Sequence, residues 1–174
     1  MRLNIMGYFW AKILQKVITH TPETICKFYR RVGVQVGRNN VICCYLQIGE
    51  PQLVEIKNDC VISSDVSFIT HDHSISKVTD KGSNLYGKII IGNNCFIGQR
   101  STILYGVELA DNIIVGSGSV VTTSFKESNI IIAGNPARII GTWDNFRKKY
   151  ENKAAFKSEY EGIIQGSTDK LICK

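Results

Sequence analysis

The sequence predicts an all-β fold in which the backbone winds as a parallel β-helix of about five triangular coils, with a short helical cap before it and a helix after it. Three observations predict this. From Ile91 to Lys126 an aliphatic residue recurs at every sixth position, at Ile91, Ile97, Ile103, Leu109, Val115 and Val121. A small residue usually follows it, as at Gly92, Gly98, Ala110 and Gly116, with Leu104 the bulky exception. Asn, Asp and Gly then crowd the next two positions, as at Asn93, Asn94, Asp111, Asn112 and Gly118, and these residues tolerate the left-handed backbone of a sharp corner. A helix repeats near 3.6 residues and a two-faced strand at 2.0, so a period of six means three short flat sides in each turn of a coil.

Ahead of the coil, residues 1–35 are expected to form a helical cap. Phe9 and Trp10, Ile13 and Leu14, and Val17 and Ile18 make an apolar stripe at helix spacing. Thr21-Pro22-Glu23 supplies an N-cap, a proline at the first helical position and an early acid, opening a second short helix through Arg31. These helices would cover the coil's open strand edge. Lys12, Lys16, Lys27, Arg30 and Arg31 accompany the stripe, a combination that also suits peripheral membrane contact through residues 1–31.

The coil occupies residues 36–142. Its beat starts at Val36, Ile42 and Ile48, shifts by two to Ile56, Ile62 and Phe68, and resumes at Leu85 and Ile89. Residues 71–84 break the beat and are therefore predicted to protrude as a loop, where chemistry usually sits on a rigid scaffold. Residues 143–174 follow. There Arg147, Lys148, Lys149, Lys153 and Lys157 alternate with Glu151, Glu159 and Glu161, the pattern of a solvated helix, and a loose tail is expected from Gly166.

A chain of 174 residues has room for one domain with short appendages. The net charge of +6 is uneven: six Lys or Arg face one Glu in residues 1–36, eight face nine acids in 37–142, and seven face five in 143–174. A net basic balance that belongs to the ends, without interleaved aromatic platforms, argues against nucleic-acid binding. The six cysteines, Cys26, Cys43, Cys44, Cys60, Cys95 and Cys173, form no CxxC pair or metal-finger spacing. Cys60 and Cys95 fall at the fifth hexad position, which points inward, and are expected to be packing residues. Lys12 and Lys16 interrupt the first apolar stretch with no cleavage site after it, so no secretory signal is expected; the compartment expected is a reducing cytoplasm, with the inner face of the membrane as the alternative placement within it. No GxxxxGK phosphate loop occurs, so nucleotide hydrolysis is not indicated.

Chemistry must come from few residues, since the histidines are His20, His71 and His73 alone. His71 and His73 stand where the beat breaks, in Thr70-His71-Asp72-His73-Ser74. Histidine can take a proton at neutral pH. A separation of two puts both side chains on one strand face if the strand continues that far, and sends Asp72 the other way.

The hexads, the histidine-containing loop, the run Ile91-Gly92-Asn93-Asn94-Cys95-Phe96-Ile97-Gly98 and the closing Ala133-Gly134-Asn135-Pro136-Ala137-Arg138-Ile139-Ile140 resemble the hexapeptide-repeat acyltransferases. The resemblance runs from about Val36 to Trp143. Within that family the chain is similar to the branch of maltose and galactoside, streptogramin, and capsular or lipopolysaccharide sugar acetyltransferases. It implies a left-handed coil, an exception to the right-handed crossover rule. It also implies acetyl-CoA as donor, no metal, and a homotrimer with active sites between subunits. Phe68-Ile69-Thr70-His71-Asp72-His73 matches the segment of the general base, which falls on His73, with His71 the runner-up and Asp72 a residue that could orient either ring or meet substrate. The matching donor-site positions are Gln99, Ser117, Thr122, Thr123 and Arg138, where the Arg138 guanidinium would suit a phosphate.

Two departures stand out. Thr123 occupies a position where relatives often have a basic residue, and Lys126 is the nearest substitute. The active-site asparagine of the maltose and galactoside enzymes has no evident equivalent in Ile42-Cys43-Cys44-Tyr45, although Glu50 falls near their substrate-binding acid. The reaction implied is O-acetylation of a sugar or of a polysaccharide or lipopolysaccharide precursor. The alternatives are N-acetylation of a nucleotide-linked amino sugar, a non-catalytic β-helix scaffold, and a zinc enzyme resembling the β-helical carbonic anhydrases, for which the HxxxxH spacing is missing.

Overall fold

The computed structural model describes residues 5–16, 21–43, 45–166, 170 and 172. Val17, Ile18, His20, Cys44, Cys173 and much of the expected tail lie outside the described residues. By contacts the chain divides into residues 1–140 and 141–174.

The first unit begins with two helices, α1 (Ile5–Leu14) and α2 (Glu23–Val32). Helix α2 buries Ile25, Cys26, Tyr29 and Val32, an i, i+1, i+4, i+7 face of the kind that seats a helix on a core. Its start differs in detail from expectation. Pro22 is the cap residue and no side chain caps the helix, while the Thr21 hydroxyl lies 3.5 Å from that of Thr24. It stops at Gly33, whose φ of 113° is open to a residue without Cβ. The Tyr29 hydroxyl accepts a hydrogen bond from the Leu46 N–H at 2.7 Å, and Arg30 donates from Nε to the Val36 carbonyl at 2.7 Å while pairing with Glu23. Tyr8 of α1 packs its ring against Phe28, Tyr29 and Tyr45.

Short strands then visit three parallel sheets in constant rotation. The first three are β1 (Gln35–Val36), β2 (Val41–Ile42) and β3 (Gln47–Ile48), followed by β4 (Val54–Ile56), β5 (Val61–Ile62) and β6 (Ser67–Ile69). The rotation is interrupted by β7 (His71–Asp72) and β8 (Leu85–Tyr86), an antiparallel pair outside the three sheets. It resumes with β9 (Ile89–Ile91), β10 (Phe96–Ile97) and β11 (Thr102–Leu104), then β12 (Glu108–Leu109), β13 (Ile113–Val115) and β14 (Val120–Val121). Phe125 bridges to Leu109, β15 (Ile130–Gly134) extends the second sheet in parallel, and β16 (Ala137–Thr142) lies at its edge after a two-residue connection too short for a parallel crossover.

The register explains the sixfold beat. Val36 lies beside Ile56, Ile56 beside Ile91, and Ile91 beside Leu109. On the second sheet Ile42, Ile62, Ile97, Val115 and Ile132 stack in the same way, and on the third Ile48, Phe68, Ile103 and Val121. All of them are buried, so each apolar ladder removes a continuous column of methyl groups from water. Cys60 and Cys95 are buried as expected, their thiols donating to the carbonyls of Gly92 at 3.0 Å and Ala110 at 3.3 Å.

The corners carry the left-handed backbone that their composition announced. Asn39, Asp59, Asn94, Asn112 and Asn129 have φ of 58°, 59°, 53°, 59° and 62°, as Asn and Asp are the non-glycine residues best suited to that region, and Arg100 at 59° is the exception among the corners. Side-chain amides bind one level to the next, as Asn58 does to Asn93 and Asn93 to Asp111. Buried Asn40 is fully engaged, donating to the Lys57 carbonyl and accepting from the Cys60 N–H, each at 2.7 Å, which meets the requirement that a buried amide be paired. The small position after each aliphatic also has a steric cause: a Cβ on Gly98 would stand 2.5 Å from the Ser117 nitrogen.

The second unit holds α3 (Trp143–Tyr150), capped by the Thr142 hydroxyl accepting from the Asn145 N–H at 3.4 Å, and α4 (Tyr160–Ile164). The mixed-charge run is thus two short helices with 3-10 turns at Glu151–Lys153 and Lys157–Glu159 between them. Among the described residues no helix is long and apolar enough to cross a membrane.

Candidate active site

The interruption of the rotation builds the site. After β6 the chain reaches Thr70, which is buried although polar. Its carbonyl accepts the Gly87 N–H at 3.1 Å, closing the neck of the excursion. Beyond the neck His71 pairs with Tyr86 and Asp72 with Leu85, and a 3-10 turn over Ser74–Lys77 carries the chain round.

Below the neck lies a cleft of about 750 Å3, lined by Tyr45, Gln47, Glu50, Gln52, Thr70 and His71 among others. Glu50 follows β3, just before the 3-10 turn that opens at Pro51. Its N–H donates to the Thr70 hydroxyl at 3.1 Å, and that hydroxyl donates to Glu50 Oε2 at 2.5 Å. The same carboxylate oxygen lies 2.9 Å from His71 Nδ1. Burial pushes the Glu50 carboxyl up, but the hydrogen bonds from Thr70 and His71 and the charge of His71 outweigh it and hold the group below its ordinary value. A carboxylate only accepts, so Nδ1 of His71 is the donor of this pair, and whenever the ring is neutral Nε2 carries the lone pair. Gly49 makes room for this ring, since a Cβ there would stand 3.0 Å from His71 Nδ1.

His73 lies apart from this cluster. The strand ends at Asp72, and His73 takes a helical conformation at the entrance to the 3-10 turn, so the two histidines do not share a strand face. Its Nδ1 lies 3.1 Å from Asn84 Oδ1, an acceptor at the far end of the loop. With the amide oxygen as acceptor, the neutral ring takes the same Nδ1–H tautomer, which places the lone pair on Nε2. Asp72 orients neither ring: it accepts the Ser74 N–H at 2.7 Å and the Tyr105 hydroxyl at 3.3 Å. Those hydrogen bonds, the Ser74 N–H first, hold its carboxyl below the ordinary value.

The expected donor-site residues are exposed. Gln99 and Ser117 follow the paired Ile97 and Val115 on adjacent levels, and the Gln99 carbonyl accepts the Gly118 N–H at 2.7 Å. Thr122 and Thr123 follow β14, and Arg138 in β16 donates to the Ala137 carbonyl at 2.8 Å. Lys126 is bound to Glu108, which draws it from the role of free phosphate ligand. Among the described residues no group of three or more His, Cys, Asp or Glu is placed to hold a metal ion. The Cys26 thiol is a poor nucleophile: burial, ahead of smaller charge effects, raises it to about 11.

Thr70, Asn84 and Tyr105 are parts of the site that the sequence did not single out. Thr70 carried a signal, a hydroxyl directly after the apolar Phe68-Ile69 and directly before the histidine that breaks the beat. Asn84 and Tyr105 carried none, because their partners are set by how the loop folds back.

A family profile described as the hexapeptide repeat of succinyl-transferase matches residues 88–123. Protein CapG of Staphylococcus aureus is 39% identical over 150 residues, covering 82% of this chain and 83% of its own length. The galactoside O-acetyltransferase of Escherichia coli is 31% identical over 119 residues, covering 68% of this chain and 58% of the relative. Among solved structures, a galactoside acetyltransferase in complex with coenzyme A superposes with a TM-score of 0.58 at 23% identity, covering 83% of this chain and 82% of that one, a likeness of fold.

Proposed function

Because the chain belongs to the hexapeptide-repeat acyltransferases, we propose that it is an O-acetyltransferase carrying the acetyl group of acetyl-CoA to a hydroxyl of a sugar or of a polysaccharide or lipopolysaccharide precursor. One observation carries the reading. Where the chain leaves its parallel sheets, two imidazoles stand with Nδ1 held by an acceptor oxygen and Nε2 open to take a proton. The galactoside O-acetyltransferase among the relatives and the coenzyme A in the superposed galactoside enzyme support a sugar acceptor and a CoA donor.

In the proposed reaction His73 Nε2 takes the proton of the acceptor hydroxyl as its oxygen attacks the thioester carbonyl. The tetrahedral oxyanion collapses, the carbon–sulfur bond breaks, and the CoA thiolate receives the proton from the imidazolium. Transfer is direct and forms no covalent enzyme intermediate. Glu50 and Asp72 face the acceptor side, while Gln99, Ser117, Thr122, Thr123 and Arg138 hold the donor, with Arg138 on a phosphate. Lys126 joins them only if its pair with Glu108 opens. The scaffold is a left-handed β-helix of about five coils with residues 1–35 as its helical cap, residues 36–142 as the catalytic domain and residues 143–174 as an appendage. The working unit is a homotrimer with donor sites between subunits.

His71 is a second candidate for the base, favoured by its carboxylate partner Glu50 in the cleft. The test is acetyl-CoA-dependent thiol release over a panel of sugars, nucleotide amino sugars and glycan fragments, with His73→Ala and His71→Ala alongside. Release with a hydroxyl acceptor that His73→Ala abolishes supports the proposal. Release only with amino sugars replaces it with N-acetylation, and failure to bind acetyl-CoA removes it.

A further inference from the structure

Helix α1 turns its apolar side away from the protein. Phe9 and Trp10 are each 66% exposed and Ile5 65%, and Ile13 is exposed as well. Tyr8 and Ala11 are the residues of this helix that pack against the core. At about 100° per residue the centre of the exposed apolar arc lies about 180° from the direction of Tyr8 and Ala11. A helix that merely covered a core would carry its polar face outward. Two large aromatic rings in water are a surface with a partner.

The charge around this face says which partner. Lys12 flanks the arc with its ammonium over the Tyr8 ring, and Lys16 lies exposed just past the helix end. Lys27 and Arg31 of α2 are exposed as well. Arg30 is not available, being committed to Glu23 and the Val36 carbonyl. Helix α1 contains no acid, and residues 1–36 hold six Lys or Arg against Glu23 alone. Two copies meeting on this face would bring like charges together, whereas an anionic surface is attracted to it. A helix of ten residues is too short to span a bilayer and of a length to lie in its interface.

We propose that α1 is an interfacial anchor, which inserts Ile5, Phe9, Trp10 and Ile13 among the acyl chains of an anionic membrane while Lys16, Lys27 and Arg31 meet its phosphate headgroups. The anchor serves an enzyme whose acceptor is presented at a membrane, but its chemistry does not depend on the transferase reaction.

The full chain is mixed with vesicles of phosphatidylcholine containing phosphatidylglycerol, with pure phosphatidylcholine vesicles, and without lipid, and bound protein is separated by flotation. The expected result is binding to the anionic vesicles at least tenfold above that to neutral ones, reduced at least tenfold in Phe9→Ser/Trp10→Ser with the far-UV circular dichroism unchanged. In Trp143→Phe, which leaves Trp10 as the remaining tryptophan, emission should shift to the blue when anionic vesicles are added. The proposal is overturned by failure of the intact chain to float with anionic vesicles, by absence of the emission shift, or by binding that survives the double substitution. A lipid-free oligomer that the double substitution dissociates overturns it too, assigning the face to a second copy. No acetyl donor enters these experiments, so an inactive transferase would leave the outcome untouched.

Discussion

The Nδ1 nitrogen of His71 and the Oε2 oxygen of Glu50 lie 2.9 Å apart, brought together across one level of the parallel sheets by residues 21 positions apart in the chain. The Thr70 hydroxyl binds the same oxygen, so the carboxylate is fixed from two sides. On the proposed reading an imidazole oriented in this way is either the base or a wall of the cleft, and substitution separates the two. With His73 as base, His73→Ala should lower kcat by about 100-fold or more, and Glu50→Gln should act mainly on the KM for the acceptor. Steady-state kinetics with saturating acetyl-CoA decides it: a fall in kcat confined to His71→Ala and Glu50→Gln would move the base to His71.

Gly49 gives an independent handle on the same ring. Its added Cβ would meet His71 Nδ1 at 3.0 Å and the Thr70 hydroxyl at 3.2 Å, so Gly49→Ala displaces the imidazole by a few tenths of an ångström without cutting the backbone. The expected outcome is a change in acceptor KM with thermal stability nearly unchanged. A melting temperature that falls steeply would show instead that the ring cannot yield.

Glu50 also links the site to acid stability. Its folded-state pKa lies below the ordinary value, so its contribution is full above the unfolded value of about 4.3 and is lost as pH falls through the folded value. Relative to Glu50→Gln, the natural chain should hold an advantage in urea midpoint at pH 7 that shrinks by pH 3. An advantage that grew on acidification would contradict the hydrogen-bond scheme. The effect is small, since the side chain is 33% exposed.

Most of the scaffold was legible because one period governs it. The beat identifies Ile62, Ile97 and Val115 as one buried column, and even the shift by two between Ile48 and Ile56 appears as the pairing of Val36 with Ile56. The same spacing could have disclosed that Lys126 is held by Glu108, one level below it and 18 residues earlier. The relation of the two histidines was not legible. A separation of two puts side chains on one face only while the strand lasts, and the turn at Ser74–Lys77 ends it between them. The C-terminal run likewise shows charge alternation but not the break before α4, because exposed mixed-charge sequence is compatible with one helix or two.

The scaffold makes a steep prediction at Gly98. A Cβ there would stand 2.5 Å from the Ser117 nitrogen and 2.6 Å from the Val115 carbonyl oxygen. Both are backbone atoms locked in the sheet, so they cannot step aside as a side chain would. Gly98→Ala should therefore destabilise by about 1–3 kcal/mol or more, seen as a lower denaturant midpoint with an unchanged m-value. A neutral result would mean that adjacent levels can part locally.

The proposed donor side holds two cations, Arg138 and Lys126, in different states of engagement. Arg138 is exposed and donates to the Ala137 carbonyl beside it, which leaves most of its guanidinium donors for a phosphate. Lys126 is already paired with Glu108, and that pair holds the Glu108 carboxyl below its ordinary value. Arg138→Ala should therefore raise the KM for acetyl-CoA by about tenfold, the worth of one charge-assisted hydrogen bond, with kcat little changed. Lys126→Ala should leave it within about twofold, since an exposed pair contributes little. Titration of each variant with coenzyme A by calorimetry checks both. A larger loss at Lys126 than at Arg138 would mean that the lysine leaves Glu108 when the donor binds, and the phosphate would then lie on the Glu108 side of the scaffold.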